Sequence, residues 1–185
     1  MYEENGLAEL LGNDRAVKFI LLDQIVSLEP PTRIVARKSL TLAEEYLADH
    51  FPTFPVMPGV LMLEAMVQSA AWLVRASQDF SHSMIVLEEA KNINYKSFVS
   101  PGRSLEVTSE AIRIEEATSE FKAFGRSDDE EIVKARLRLR HYNLADANPE
   151  LADTDEKVTS DLRKKFELLG GPSALKMATA MTSSS

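Results

Sequence analysis

The chain has 185 residues, 44% of them hydrophobic and 27% charged, the balance of one ordinary globular domain with a core of useful size. It contains no cysteine, which excludes disulfide frameworks, thiolate zinc sites and cysteine nucleophiles and makes a reducing cytoplasm the expected compartment. A formal net charge of −8 argues against broad nucleic-acid binding, while leaving room for a local basic patch that meets an acidic partner.

The first fifteen residues, MYEENGLAELLGNDR, are acidic and lack the basic region and apolar run of an export signal. A short helix is expected over residues 7–11. Residues 17–28 read as a strand, stopped by Pro30-Pro31, and residues 33–40 as a second. Thr41, with Glu44 at the capping-box position, is expected to cap a turn of helix running through Leu47 and delivering the chain to His50. Prolines at 52, 55 and 58 then keep the backbone extended, because each disfavours helical geometry in the residue before it.

Helix begins only after Pro58-Gly59. The segment VLMLEAMVQSAAWLVRA is apolar on nearly every face, as a helix enclosed by other structure reads, and Glu64, Gln68 and Arg75 make it an improbable membrane span. Strands are expected over residues 84–87, 93–99, 105–114, 120–125 and 132–142. In the last, Val133, Ala135, Leu137 and Leu139 alternate with Lys134, Arg136, Arg138 and Arg140, one face on a core and one in water. One long buried helix with several antiparallel strands predicts an α+β domain in which a sheet wraps the helix.

Two regions follow from this: a domain over residues 1–142, and an acidic extension over 143–185. In the extension Val158, Leu162, Phe166 and Leu169 share one helical face, Gly170-Gly171-Pro172 ends that helix, and a Ser/Thr/Ala-rich end is expected to be disordered.

The chemistry concentrates between His50 and Gln68. A histidine stands on a proline-stiffened strap, a glycine opens a helix, and a carboxylate sits inside that helix. Glu64 and Gln68, four residues apart, share a helical face. Such a pair can be purely structural, hydrogen-bonded to backbone; a buried carboxyl also holds its proton more readily, which suits a general acid. His50 alone is equally a packed or surface residue, yet a rigidly held imidazole is a base of the right strength near neutrality. Gly59 is either a loop-to-helix hinge or the place where a carbonyl oxygen approaches bare backbone N–H groups at the positive end of a helix.

The block HFPTFPVMPGVLMLEAMVQ, with its fourteen-residue step from His50 to Glu64, resembles the signature of the β-hydroxyacyl-(acyl-carrier-protein) dehydratases, the FabZ-type hotdog-fold family. Weaker echoes are Tyr95-Lys96-Ser97-Phe98-Val99-Ser100-Pro101-Gly102 and Phe19-Ile20-Leu21-Leu22-Asp23; together they span residues 7–142. The sequence departs from the family at Asp49 and Thr53, where glycines are usual, at Arg103 after Pro101-Gly102, and in lacking the Pro-His-Arg approach to the first strand. None of these removes a catalytic group.

The resemblance implies a hotdog fold and dehydration of (3R)-hydroxyacyl thioesters to trans-2-enoyl thioesters. It casts His50 and Glu64 as the catalytic pair, Gly59 as the donor to the thioester carbonyl and Gln68 as the residue orienting Glu64. No metal and no cofactor are expected, the substrate being carried on a phosphopantetheine thioester. The implied partners are acyl carrier protein and a second copy of the chain, as a homodimer or a trimer of dimers, with no nucleic acid and no membrane insertion. A non-catalytic acyl-binding or structural hotdog subunit, and a hotdog hydratase or thioesterase, are the competing readings. The Lys134 to Arg140 row reads as a solvated strand face or a docking face for an acidic carrier; Met57, Met62 and Met66 read as core, and His82 and His141 have no metal-ligand company.

Overall fold

The structure, a computed structural model, describes residues 20–49 and 53–175. The expected helix over 7–11, the start of the expected first strand, His50 and the end of the tail lie outside the described residues.

Six strands form one antiparallel sheet: β1 (Gln24–Glu29), β2 (Arg33–Ser39), β3 (Met84–Tyr95), β4 (Ser104–Ile114), β5 (Thr118–Ser127) and β6 (Glu130–Tyr142), in the order β1-β2-β4-β5-β6-β3. The helices are the four-residue α1 (Tyr46–Asp49), the long α2 (Gly59–Ser77) and α3 (Ala152–Leu168) in the extension. Helix α2 packs across the inner face of the sheet. Met62, Met66, Ala70 and Leu73 meet Leu105, Val107, Phe121, Leu137 and Leu139 in one buried cluster. The alternation read in β6 holds along its length, with Val133, Ala135, Leu137 and Leu139 inward and the basic row outward. Met57, Met62 and Met66 are core residues, all but inaccessible.

Two local expectations are corrected. The Thr41 hydroxyl accepts the Ala43 N–H at 3.3 Å in a tight turn, and helix starts only at Tyr46. Glu44 does not close a capping box there because it is drawn to the buried Lys38 ammonium, 2.6 Å away, which also faces Asp23 at 3.6 Å. The strands expected at 84–87 and 93–99 are one strand, β3. Its register against β6 shifts twice, between Leu87 and Glu89 and between Lys91 and Asn94, with Asn92 at φ 53°; these irregularities interrupt the hydrophobic alternation and hide the strand in sequence.

The residues after Tyr142 share the core of the sheet. Phe166, Leu169 and Ala174 belong to the same buried cluster as α2, and Phe166 sits against Trp72 and Phe80 at ring separations of 5.9 and 5.5 Å. The Leu169 carbonyl accepts the Ile25 N–H at 2.8 Å, so the extension also touches the β1 edge.

Candidate active site

The strap expected to be extended instead turns at Thr53 and bends at Phe54, runs without regular structure over 55–58, and is tied to the segment between β3 and β4 where the Met57 N–H donates to the Val99 carbonyl at 2.9 Å. This contact holds the Pro58-Gly59 junction against that segment. Helix α2 opens at Gly59 with Pro58 as its N-cap, no side-chain cap and no acidic residue in its first turn. The leading N–H groups of a helix have no intrahelical acceptor, so this end offers bare donors at the positive pole of the dipole.

Gly59 is held close from one side. A Cβ on it would lie 3.0–3.2 Å from Cε1, Cδ1 and Cζ of Tyr95, at the end of β3. A side chain at this position would require the Tyr95 ring to give by a few tenths of an ångström, a packing constraint separate from any need for a carbonyl to reach the backbone.

One turn into the helix, the Gln68 amide nitrogen donates to Glu64 Oε1 at 2.9 Å, and its carbonyl oxygen accepts the Leu21 N–H at 3.0 Å. Gln68 therefore ties the carboxylate to the backbone leading into β1, and the helical spacing read from sequence is realised as a hydrogen bond. Glu64 is less enclosed than expected: it is half-buried, as is Leu63, and Val60 is 68% exposed. The side of α2 that bears Val60, Leu63 and Glu64 is one that no described element covers fully, whereas the opposite side lies on the sheet.

Exposed apolar side chains stand on the strap, on the segment after β3 and on β3 itself, where exposed Glu88, Glu89 and Lys91 lie between them. Phe54 and Phe98 form an edge-to-face pair at 6.4 Å and both are exposed; Tyr95, Ile93 and Leu87 continue the exposed surface along β3, which pairs only with β6 and ends the sheet. Of the residues implicated from sequence, the structure brings Gly59, Glu64 and Gln68 into the first three turns of one helix. His50 lies outside the described residues. Tyr95 was missed as a site neighbour because its contact with Gly59 joins two segments far apart in the chain; its membership of the aromatic-Lys segment was the available signal.

An antiparallel sheet wrapped on one long helix, with an amide-tethered carboxylate near the helix start, defines a hotdog-fold α+β protein. The family model of the FabA-like domain matches residues 15–136. The chain is 32% identical over 131 residues to the 3-hydroxyacyl-[acyl-carrier-protein] dehydratase FabZ of Pediococcus pentosaceus, covering 71% of this chain and 87% of the relative. It is 35% identical over 121 residues to the protein of the same name from Ralstonia nicotianae, covering 64% and 74%. Among solved structures, the dehydratase heterocomplex ApeI:P from Xenorhabdus doucetiae superposes with a TM-score of 0.59 at 14% identity, over 72% of this chain and 90% of the other. The chain belongs to the FabA-like family.

Proposed function

We propose that this protein is a 3-hydroxyacyl-[acyl-carrier-protein] dehydratase of fatty-acid or related lipid or polyketide synthesis, working in the cytoplasm. The observation that carries the reading is the Glu64–Gln68–Leu21 chain of hydrogen bonds in the helix that follows the HFP and PVMPG segments. It holds a carboxyl at a fixed place in an apolar surround, beside bare helix N–H donors.

His50 would remove the proton from the α-carbon. The thioester carbonyl, polarised by the Gly59 N–H, takes up the developing negative charge. The electron pair of the broken C–H bond then forms the double bond as the 3-hydroxyl leaves with a proton from Glu64, giving water and the enoyl thioester. Gln68 would orient Glu64, and phosphopantetheine would deliver the acyl chain from the surface.

A second copy of the chain is part of the proposal. The free edge of β3, which exposes Leu87, Ile93 and Tyr95 among Glu88, Glu89 and Lys91, and the half-open side of α2 that bears Glu64 are the surfaces a second copy would use. A second sheet joined along β3 would cover these surfaces and enclose Glu64, with the partner contributing His50; a trimer of such dimers would need a second, separate contact. The test is conversion of 3-hydroxyacyl thioesters on carrier protein to enoyl product by wild type, His50→Ala and Glu64→Gln. Turnover by wild type that is lost in both variants supports the reading. An inactive wild type that still binds acyl chains replaces it with a binding module.

A further inference from the structure

We propose that the Tyr95 hydroxyl is a second hydrogen-bond donor to the thioester carbonyl oxygen, acting beside the Gly59 N–H; the proposal rests on the dehydratase reading of this site. The phenol ring lies flush on Gly59, and Cζ, the carbon bearing the hydroxyl, is 3.2 Å from where a Gly59 Cβ would stand. The carbon that bears the hydroxyl thus stands within contact distance of the residue that opens α2.

Three observations point the hydroxyl toward a ligand. Tyr95 is 45% exposed although its ring is packed on Gly59, so part of the side chain faces solvent rather than the core. Its hydroxyl makes no hydrogen bond to any other described residue, so among these it is an available donor. The residue also sits at the last position of β3, where the Lys96 N–H donates to the Ile132 carbonyl at 2.8 Å and fixes the backbone that carries the ring. Burial of the ring raises the phenol above its ordinary pKa, so the group keeps its proton across the range in which the enzyme would work.

The chemistry fits this position. Abstraction of the α-proton moves charge onto the thioester oxygen, and a preorganised donor aimed at that oxygen lowers the barrier most when the site excludes water. No proton leaves Tyr95: the hydroxyl donates a hydrogen bond and is unchanged at the end of the cycle.

Tyr95→Phe retains the ring on Gly59 and removes only the donor. The expected result is a fall in kcat on the order of 100-fold with KM within about twofold and unchanged thermal unfolding. A second readout is the infrared carbonyl stretch of bound butyryl-pantetheine, a thioester with no 3-hydroxyl to lose: it should lie lower in wild type than in Tyr95→Phe. A Tyr95→Phe enzyme with wild-type kcat and an unshifted carbonyl band overturns the proposal while leaving the dehydratase reading intact. A wild type without turnover overturns that reading, and the proposal with it.

Discussion

The carboxylate of Asp155, in α3, accepts the hydroxyl of Ser83 at the threshold of β3, 72 residues earlier in the chain. The same carboxylate accepts the backbone N–H groups of Leu144 and Ala145 at 2.9 and 2.8 Å, and it is buried. Burial alone would raise its pKa; the Ser83 hydroxyl and the two N–H groups outweigh that and hold it below the usual carboxylate value. One side chain thus bolts the extension to the sheet and is kept ionised by the groups it joins.

Asp155→Ala leaves three donors, two of them buried, without an acceptor and is expected to cost about 3 kcal/mol, read as a lower urea midpoint. Asp155→Asn, which keeps one acceptor oxygen, should lose less. Because the folded-state pKa is depressed, the stability Asp155 supplies is present above the ordinary carboxylate range and disappears as the pH falls through the folded value. The acid limb of the stability curve should therefore be shallower in Asp155→Ala than in wild type.

The chain's one tryptophan, Trp72, reports whether α3 is docked, since Phe166 packs on it from the extension. Phe166→Ala should destabilise by about 3–5 kcal/mol and shift tryptophan emission to the red. Gly171→Ala should act in the same direction, because its Cβ would fall 2.2 Å from the Phe166 ring. Unshifted emission in Phe166→Ala would mean that Trp72 is shielded by the sheet and not by the extension.

His141 is buried, with Nε2 2.8 Å from the Ser119 hydroxyl and Nδ1 facing the Glu116 carbonyl at 3.3 Å. Burial pushes its pKa down to about 4, helped by the charges of His82 and Arg75 and opposed by the Glu116 carbonyl. An unfolded histidine takes a proton near pH 6.5, so between there and about 4 the unfolded chain binds the extra proton. Stability should fall as the pH drops through that window, by up to about 1.4 kcal/mol per pH unit from this residue. Urea midpoints at pH 7 and pH 5 check it: wild type should lose more than His141→Gln.

Gly59→Ala forces a methyl against the Tyr95 ring and should cost about 1–3 kcal/mol. Tyr95→Ala removes the obstacle, so Gly59→Ala introduced into that background should cost markedly less. A double-mutant cycle of unfolding free energies measures the difference; additive losses would show that the ring does not constrain Gly59.

Replacing Leu87 and Ile93 by arginine places charge at the exposed apolar positions of β3. If a second copy joins there, the double variant should elute as a single chain in light-scattering chromatography and lose turnover, with its fold retained by circular dichroism. A variant of unchanged mass would assign the contact to another surface.

Much of the architecture was legible because period and punctuation are local properties. The alternation from Val133 to Leu139 needs only neighbouring residues to declare a strand. Pro58-Gly59 declares a helix start in the same way, and the four-residue step from Glu64 to Gln68 already contains their hydrogen bond, since helix geometry brings those positions together. The HFP and PVMPG segments carried the family in the same compact form.

What tertiary structure decided are the contacts whose two halves lie far apart. Neither the YKSF segment nor PGV announces that Tyr95 covers Gly59, and nothing around Lys38 or Glu44 shows that burial would pair them and cancel the expected helix cap. Strand β3 was divided in sequence because its two register shifts move side chains out of period while the ladder to β6 continues. The half-open flank of α2 was hidden for a related reason: an apolar helix reads as enclosed on every side, and only the position of the sheet shows which side the described elements leave uncovered. Local periodicity fixes what an element is, whereas packing between distant segments fixes which of its faces remains free to do chemistry.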